Sequence, residues 1–423
     1  MDSIIINGGN ALKGEIAITG AKNSALKLMV AALLTDEPVT LTNMPELADT
    51  RFLAHLMRHL GAEVSESPKT GAMTITAGGL GEPEAPYDLV RKMRATFNVL
   101  GPLLARKGRA KVSLPGGCAI GARPVDLHLQ ALESLGAKIT LEEGYAIASA
   151  PNGLTGAKIN FPFISVGATE HTMMTAVLAD GITELSNAAK EPEITDLANM
   201  LNSMGAKVEN AGQDTITITG VKKLGGITHG VVPDRIETGT YALAAGACPN
   251  SDVTITNCQP EHLDALWAAM SRAGIEVITD EKQVRIKRGT TPLKPVDIET
   301  AAWPGFATDL QAQFMALMVL ADGASIIRET IFENRFMHAP ELTRLGADIT
   351  VHGREAVVRG VDELTGAPVM ATDLRASVSL IIAGLAAKGQ TSVSRIYHLD
   401  RGFQNLEANF SALGADIKRV AGS

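Results

Sequence analysis

In the stretch LPGGCAIGARP, Leu114 to Pro124, a cysteine stands among glycines with an arginine five residues on. A free thiol ionises near pH ~8.5, and a neighbouring cation or a helix N-terminus lowers that value. Arg123 offers the cation. The helix start comes from PVDLHLQALESLG, where Pro124 suits a first turn. The preceding RAKVSL reads as a strand with Ala110, Val112 and Leu114 on one face. Cys118 is therefore expected on a strand-to-helix connection. A functional thiol fits that place better than the small buried hydrophobe that most lone cysteines are.

Cations recur at a second kind of place. Lys22 and Asn23 open AKNSALKLMVAALL, Arg94 opens MRATFNVLGPLLA, and Arg375 opens the apolar run of TDLRASVSLIIAGLAA. Asn23 or Ser24 could cap the first helix and leave Lys22 in solvent. Yet a cation at a helix N-terminus is unfavourable unless an anion sits between them. Three at matching places point to a ligand carrying phosphate or carboxylate. ATDLQAQF puts Asp309 at the corresponding start. There it is either a cap or, in a cleft among cations, a general base. FENRFMHAPEL and YHLDRGF contribute Arg335 and Arg401, each ahead of a surface helix. Both are bidentate ligands for an anion or simple surface ion pairs. The nine histidines make no convincing metal set, and no Ser–His–Asp set can be assembled.

The elements that carry these residues repeat. LGAEV, LGAKI, MGAKV, AGIEV, LGADI and LGADI recur with glycines at Gly61, Gly136, Gly205, Gly274, Gly346 and Gly414, spaced by 75, 69, 69, 72 and 68 residues. Such a period marks repeated supersecondary units. In each, an amphipathic helix ends at a glycine able to take φ > 0, and a strand follows. A second helix, apolar nearly all round and hence buried, recurs with its polar residues at the N-terminal end. Short alternating runs such as MTITA, DTITITG and AVVRG read as half-buried strands. Each unit is thus two helices with three or four strands, an α/β class. The sixth unit falls about twenty residues short, and SIIIN and GEIAITG near the N-terminus are expected to complete it. The expected domains are 22–230, which carries the Cys118 loop, and 1–21 with 231–423, three units each. Parallel helices would turn their positive ends to one face of each domain, and a hinge-like closing would bring an anion-attracting cleft together.

Composition narrows the class. The charge of −8 argues against a general nucleic-acid or anionic-membrane surface. Cys118, Cys248 and Cys258 lack metal-type spacing and suggest a reduced, cytoplasmic setting. Neither a signal peptide nor a run long enough to span a bilayer is expected.

Taken in order, GAKNSAL, MRAT, LPGGCAIGARPVDLH, EPEITDL, PDRIETGT, TDLQAQF, FENRFMH, ATDLRAS and IYHLDRGF resemble the UDP-N-acetylglucosamine 1-carboxyvinyltransferases, from about Asn7 to Val420. The resemblance implies two inside-out α/β barrel-like domains of the enolpyruvyl transferase type, with the active site between them. It implies transfer of the enolpyruvyl group of phosphoenolpyruvate to the 3′-hydroxyl of UDP-N-acetylglucosamine, the first committed step of peptidoglycan synthesis. The path is addition then elimination, with no metal or organic cofactor and no partner beyond the two substrates. It makes Cys118 the acid near C3, able to form a covalent adduct and open to alkylation by the epoxide fosfomycin, and Asp309 the base. Lys22, Arg123 and Arg401 would hold the donor, and Asn23 would touch the reacting centre. Arg94, Arg123, Pro124, Val125, Asp126, Leu127 and Ile331 would line the UDP-sugar site, with Arg335 and Arg375 supporting the anion pocket. Two positions depart from the pattern: Ala48 and Phe163 stand where the family often has lysine.

Overall fold

A computed structural model describes residues 2–67, 70–116 and 124–422. The six repeated glycines end the surface helices Ala48–His59, Asp126–Ser134, Pro192–Ser203, Asp264–Arg272, Ala339–Arg344 and Leu406–Ala412. Their φ angles run from 92° at Gly136 to 103° at Gly205, where a side chain would be strained. At the first end the N–H of Gly61 donates to Arg58 O at 3.1 Å and that of Ala62 to Met57 O at 3.0 Å. These two bonds satisfy carbonyls that the helix leaves over and turn the chain into the next strand. The same pair of bonds closes each of the other five helices.

Six four-stranded sheets share one plan. One edge strand runs parallel to its neighbour, and the other two pairings are antiparallel. The first sheet shows it, in the order Thr228–Gly230, Val39–Thr42, Ala72–Thr76, Glu63–Ser67. Alternation puts Val39, Leu41, Met73 and Ile75 on the buried face.

The chain divides into two compact units, residues 20–116 with 124–232, and residues 2–19 with 233–422. Each has its own aliphatic core. In the first unit, Thr228–Gly230 returns from the third copy to the sheet of the first. That closes a ring and leaves the fourth copy without a parallel edge strand of its own. Lys13–Ala17 fills that place beside Ser251–Thr256, while Ser3–Asn7 pairs with Gln390–Ser394 and Asp416–Val420 in the sixth copy. The expectation that both N-terminal strands complete the sixth copy is therefore corrected: one does, and the other completes the fourth.

The apolar helices are Lys22–Ala31, Leu100–Lys107, Val166–Ala176, Arg235–Ala247, Gln311–Met318 and Ser377–Ala386, and they are buried as their composition demands. The last three pack against one another in the second unit. Gly239 makes room there, since a Cβ would come within 2.6 Å of Leu310. No helix among the described residues is long and apolar enough to cross a membrane.

Candidate active site

In the first unit, Lys22 is the first residue of its helix, and no side chain caps that end. The lysine is buried, 6% exposed, and its Nζ lies 2.9 Å from Asp49 Oδ2 in the first turn of Ala48–His59. The anion that the sequence required beside Lys22 is thus present within the chain. Asn23 is exposed beside it. Ser24 donates to Asp196, which also accepts from His229 Nε2 at 2.7 Å. Lys27 pairs with Glu170, whose carboxyl burial pushes up to about 7 against the pull of that lysine. Burial drives His171 down to about 3, so it is neutral. Its Nε2 accepts the Gly101 N–H at 2.8 Å, and its Nδ1 lies 3.0 Å from His128 Nδ1. The proton of His171 therefore sits on Nδ1 and is donated to His128.

Arg94 begins a 3₁₀ turn, Arg94–Val99, that leads into Leu100–Lys107, and its guanidinium donates to Pro124 O at 3.0 Å. That bond ties the second buried helix to the start of Asp126–Ser134, with Pro124 and Asp126 exposed and Val125 and Leu127 buried. Cys118 and Arg123 lie outside the described residues. Ala48 opens its surface helix, and Phe163 is exposed ahead of Val166–Ala176. None of the three buried helices of this unit has an acidic residue in its first turn.

The second unit is arranged differently, because aspartates stand at the N-terminal ends of its buried helices. Asp234 accepts from the N–H groups of Ile236 at 2.8 Å and Glu237 at 3.1 Å. Asp373 accepts from those of Arg375 at 2.9 Å and Ala376 at 2.8 Å. Asp309 lies in the 3₁₀ turn Thr308–Leu310 that starts Gln311–Met318. Arg375 joins the ends: its Nε is 3.6 Å from Asp309 Oδ2 and its Nη2 is 3.7 Å from Asp234 Oδ2. The three positive helix poles therefore do meet at one place within this unit.

Arg335 completes the clamp, with Nη2 2.7 Å from Asp309 Oδ1 and the guanidinium over the Phe332 ring. It is 4% exposed, so the surface ion pair allowed by the sequence is replaced by a buried one. Burial alone would raise the Asp309 carboxyl; the charges of Arg335, Arg375 and Arg235 outweigh it and hold the group well below the usual carboxylate range. Burial pushes His338 down to about 4, with Arg335 opposing its charge as well, so the arginines remain the cations here. Asp309 keeps 23% of its side chain exposed and can meet a ligand. Arg401 ends the turn Ile396–Arg401 and is half-buried, and Ile331 is exposed.

The structure brings Asp309, Arg335 and Arg375 into contact, and in the other unit joins Arg94 to Pro124. Sequence reasoning missed Asp49, Asp196, Asp234 and Asp373. Asp49, Asp234 and Asp373 stand at helix starts, where an aspartate is so ordinary that nothing in the sequence separates them from plain caps, and Asp196 lies within Pro192–Ser203 as an unremarkable helical residue.

Residues 6–410 match the family model described as EPSP synthase (3-phosphoshikimate 1-carboxyvinyltransferase). The chain is 65% identical to the UDP-N-acetylglucosamine 1-carboxyvinyltransferase of Caulobacter sp. (strain K31), covering 100% of this chain and 98% of the relative. It is 56% identical to that of Gluconobacter oxydans (strain 621H), covering 100% of both. Among solved structures, the enolpyruvyl transferase NikO from Streptomyces tendae is similar with a TM-score of 0.90, 28% identity, and 100% and 99% of the two chains covered. EPSP synthase from Acinetobacter baumannii, with a TM-score of 0.78 at 19% identity over the whole of both chains, shares the fold.

Proposed function

Because the chain belongs to the UDP-N-acetylglucosamine 1-carboxyvinyltransferases of the enolpyruvyl transferase family, we infer that it transfers the enolpyruvyl group of phosphoenolpyruvate to the 3′-hydroxyl of UDP-N-acetylglucosamine and releases phosphate. The full-length identity to relatives of that name carries the reading. The family model bears the name of the shikimate enzyme, but that likeness is to the shared fold.

The residue roles are proposed from the family resemblance together with the chemistry of the reaction. The donor is the phosphate ester of an enol and does not react with an alcohol until C3 gains a proton and C2 becomes electrophilic. Cys118 supplies that proton. The 3′-oxygen then bonds to C2, the hydroxyl proton passes to Asp309, and a tetrahedral ketal results. The Cys118 thiolate left by the first step takes a proton back from C3 as the C2–O bond to phosphate breaks, which restores the double bond, regenerates the thiol and expels phosphate. Lys22, Arg123 and Arg401 hold the donor's phosphate and carboxylate, with Asn23 beside the reacting centre. Arg94, the run Pro124 to Leu127, and Ile331 hold the UDP-sugar.

One feature of the second unit shapes the Asp309 step. A carboxylate clamped by two arginines is a poor base for an intact alcohol, since proton transfer is most efficient when the base's pKa lies near the working pH. It is adequate for an oxygen that has already begun to bond to C2 and carries positive charge. Proton transfer to Asp309 therefore follows C–O bond formation rather than preceding it. The clamp keeps the acceptor oxygen of the carboxylate charged and in place until it takes the proton.

Phosphate release from phosphoenolpyruvate tests the reading, with UDP-N-acetylglucosamine and shikimate 3-phosphate offered separately. Release with the first alone is expected. Release with shikimate 3-phosphate alone overturns the assignment, and tight binding of the UDP-sugar without release would make the protein a noncatalytic sensor.

A further inference from the structure

We propose that Glu329 is a positioning residue that fixes the Arg335–Asp309 clamp through the hydroxyl of Thr308, an inference that rests on the reading of Asp309 as the base. Glu329 follows the strand Ala324–Arg328 and is 1% exposed. Its Oε1 accepts from Thr300 Oγ1 at 2.9 Å and from the N–H groups of Ile331 at 2.8 Å and Phe332 at 3.1 Å. Its Oε2 accepts from Thr308 Oγ1 at 2.8 Å. Thr308 Oγ1 in turn accepts from Arg335 Nη1 at 3.2 Å, while Nη2 of the same guanidinium reaches Asp309 at 2.7 Å.

The direction of this chain is forced. A threonine hydroxyl has one proton, and an ionised carboxylate can only accept. Thr308 must therefore donate to Glu329, which turns its lone pairs to Arg335. With Nη1 so occupied, the planar guanidinium can present Nη2 to Asp309 in only one orientation. The same carboxylate holds the turn of Ile331 and Phe332, and Phe332 lies against Arg335.

Comparison of the repeats shows that the fold does not ask for a charge here. The residue after the equivalent strand is Asn43, Asn187 and Asn257 in the first, third and fourth copies. Each takes a positive φ, and its side-chain amide donates to a carbonyl, Val231 O, Phe161 O and Ile18 O respectively. An asparagine in the left-handed region closes this turn at little cost. The fifth copy abandons that solution for a buried anion, which is expensive unless its donors are well placed. The donors it gathers lead to the clamp.

The test is steady-state kinetics of Glu329→Gln, alone and combined with Asp309→Asn, with thermal unfolding as a check on folding. In Glu329→Gln the amide can donate to Thr308 and reverse the chain. A loss of about 100-fold in kcat is expected from misplacing the clamp, with the folded state retained. Added to Asp309→Asn, the same change should cost less than about twofold, since it acts through that carboxylate. Parent-like kcat in folded Glu329→Gln, or an equal further loss in the Asp309→Asn background, overturns the proposal. Should Glu329→Gln not fold, Thr308→Val removes the middle of the chain, and parent-like kcat in that variant overturns the proposal equally. Near-parent turnover in Asp309→Asn alone would instead remove the base reading, so the two failures are distinct.

Discussion

Replacing Arg335 by glutamine removes one of the two cations that clamp Asp309 and leaves the other, Arg375, at 3.6 Å. The Arg335 contact is 2.7 Å between atoms, and one partner is 4% and the other 23% exposed. Charge centres some 4 Å apart attract by about 4 kcal/mol at an effective dielectric near 20, which bounds what Arg335 contributes to holding the carboxylate ionised. The sign follows: with that cation gone, Asp309 binds a proton more readily, and its basic form is lost at higher pH as the solution is acidified. Asp309, held below its unfolded value in the native state, lends stability above that value that disappears as pH falls through the native one. Arg335→Gln shrinks that contribution, and breaking a buried pair destabilises by about 3 to 5 kcal/mol. A urea titration therefore precedes the kinetics. In the folded fraction, phosphate release measured from about pH 3.5 to about pH 9 should show kcat lowered about 100-fold and an acid limb, near the ordinary carboxylate range, that the parent lacks. A profile of the parent's shape, with kcat within about threefold, would refute the claim that the clamp sets the state of Asp309.

Three further outcomes follow from particular residues. Cys118→Ser should lose turnover and, by mass spectrometry after exposure to phosphoenolpyruvate, the covalent adduct; Cys118→Asp keeps an acid and should turn over while resisting fosfomycin. Lys22→Met removes the cation 2.9 Å from the buried Asp49 carboxylate and should lower stability by about 3 kcal/mol in urea. Adding Asp49→Leu should restore much of that stability while phosphate release stays lost. Gly61→Ala should destabilise more than Gly205→Ala in the same titration. Both positions cost about 1 to 2 kcal/mol for a left-handed alanine, but the first would also press a Cβ to 2.5 Å from Gly79 O, whereas nothing lies within 4 Å at the second.

Much of the architecture was legible because the repeated signals are local. A glycine that must take positive φ after an amphipathic helix recurs six times, and each of those glycines ends its helix as read. Helices apolar on every side have nowhere to go but the interior. The N-terminal strands were harder, because counting missing residues does not reveal which sheet has lost a strand; Lys13–Ala17 belongs to the fourth copy only because Thr228–Gly230 closes the ring of the first unit. At the site, helix-start cations and Asp309 stood out by their unusual or telling place. Their partners did not. Lys22 meets Asp49 across 27 residues of chain, and Arg375 meets Asp234 across 141, distances at which pattern carries no information. Arg335 reads as a surface residue in FENRFMH, and only packing buries it. Glu329 left one signal, a glutamate where three copies place asparagine.

The most direct test of the addition–elimination account is to run the reaction in D₂O and examine the hydrogens on C3. If C3 is protonated to form a methyl group and later deprotonated, deuterium should enter the vinyl carbon of the product and of recovered phosphoenolpyruvate whenever UDP-N-acetylglucosamine is present. Product formed at the parent rate with no deuterium at that carbon would contradict it.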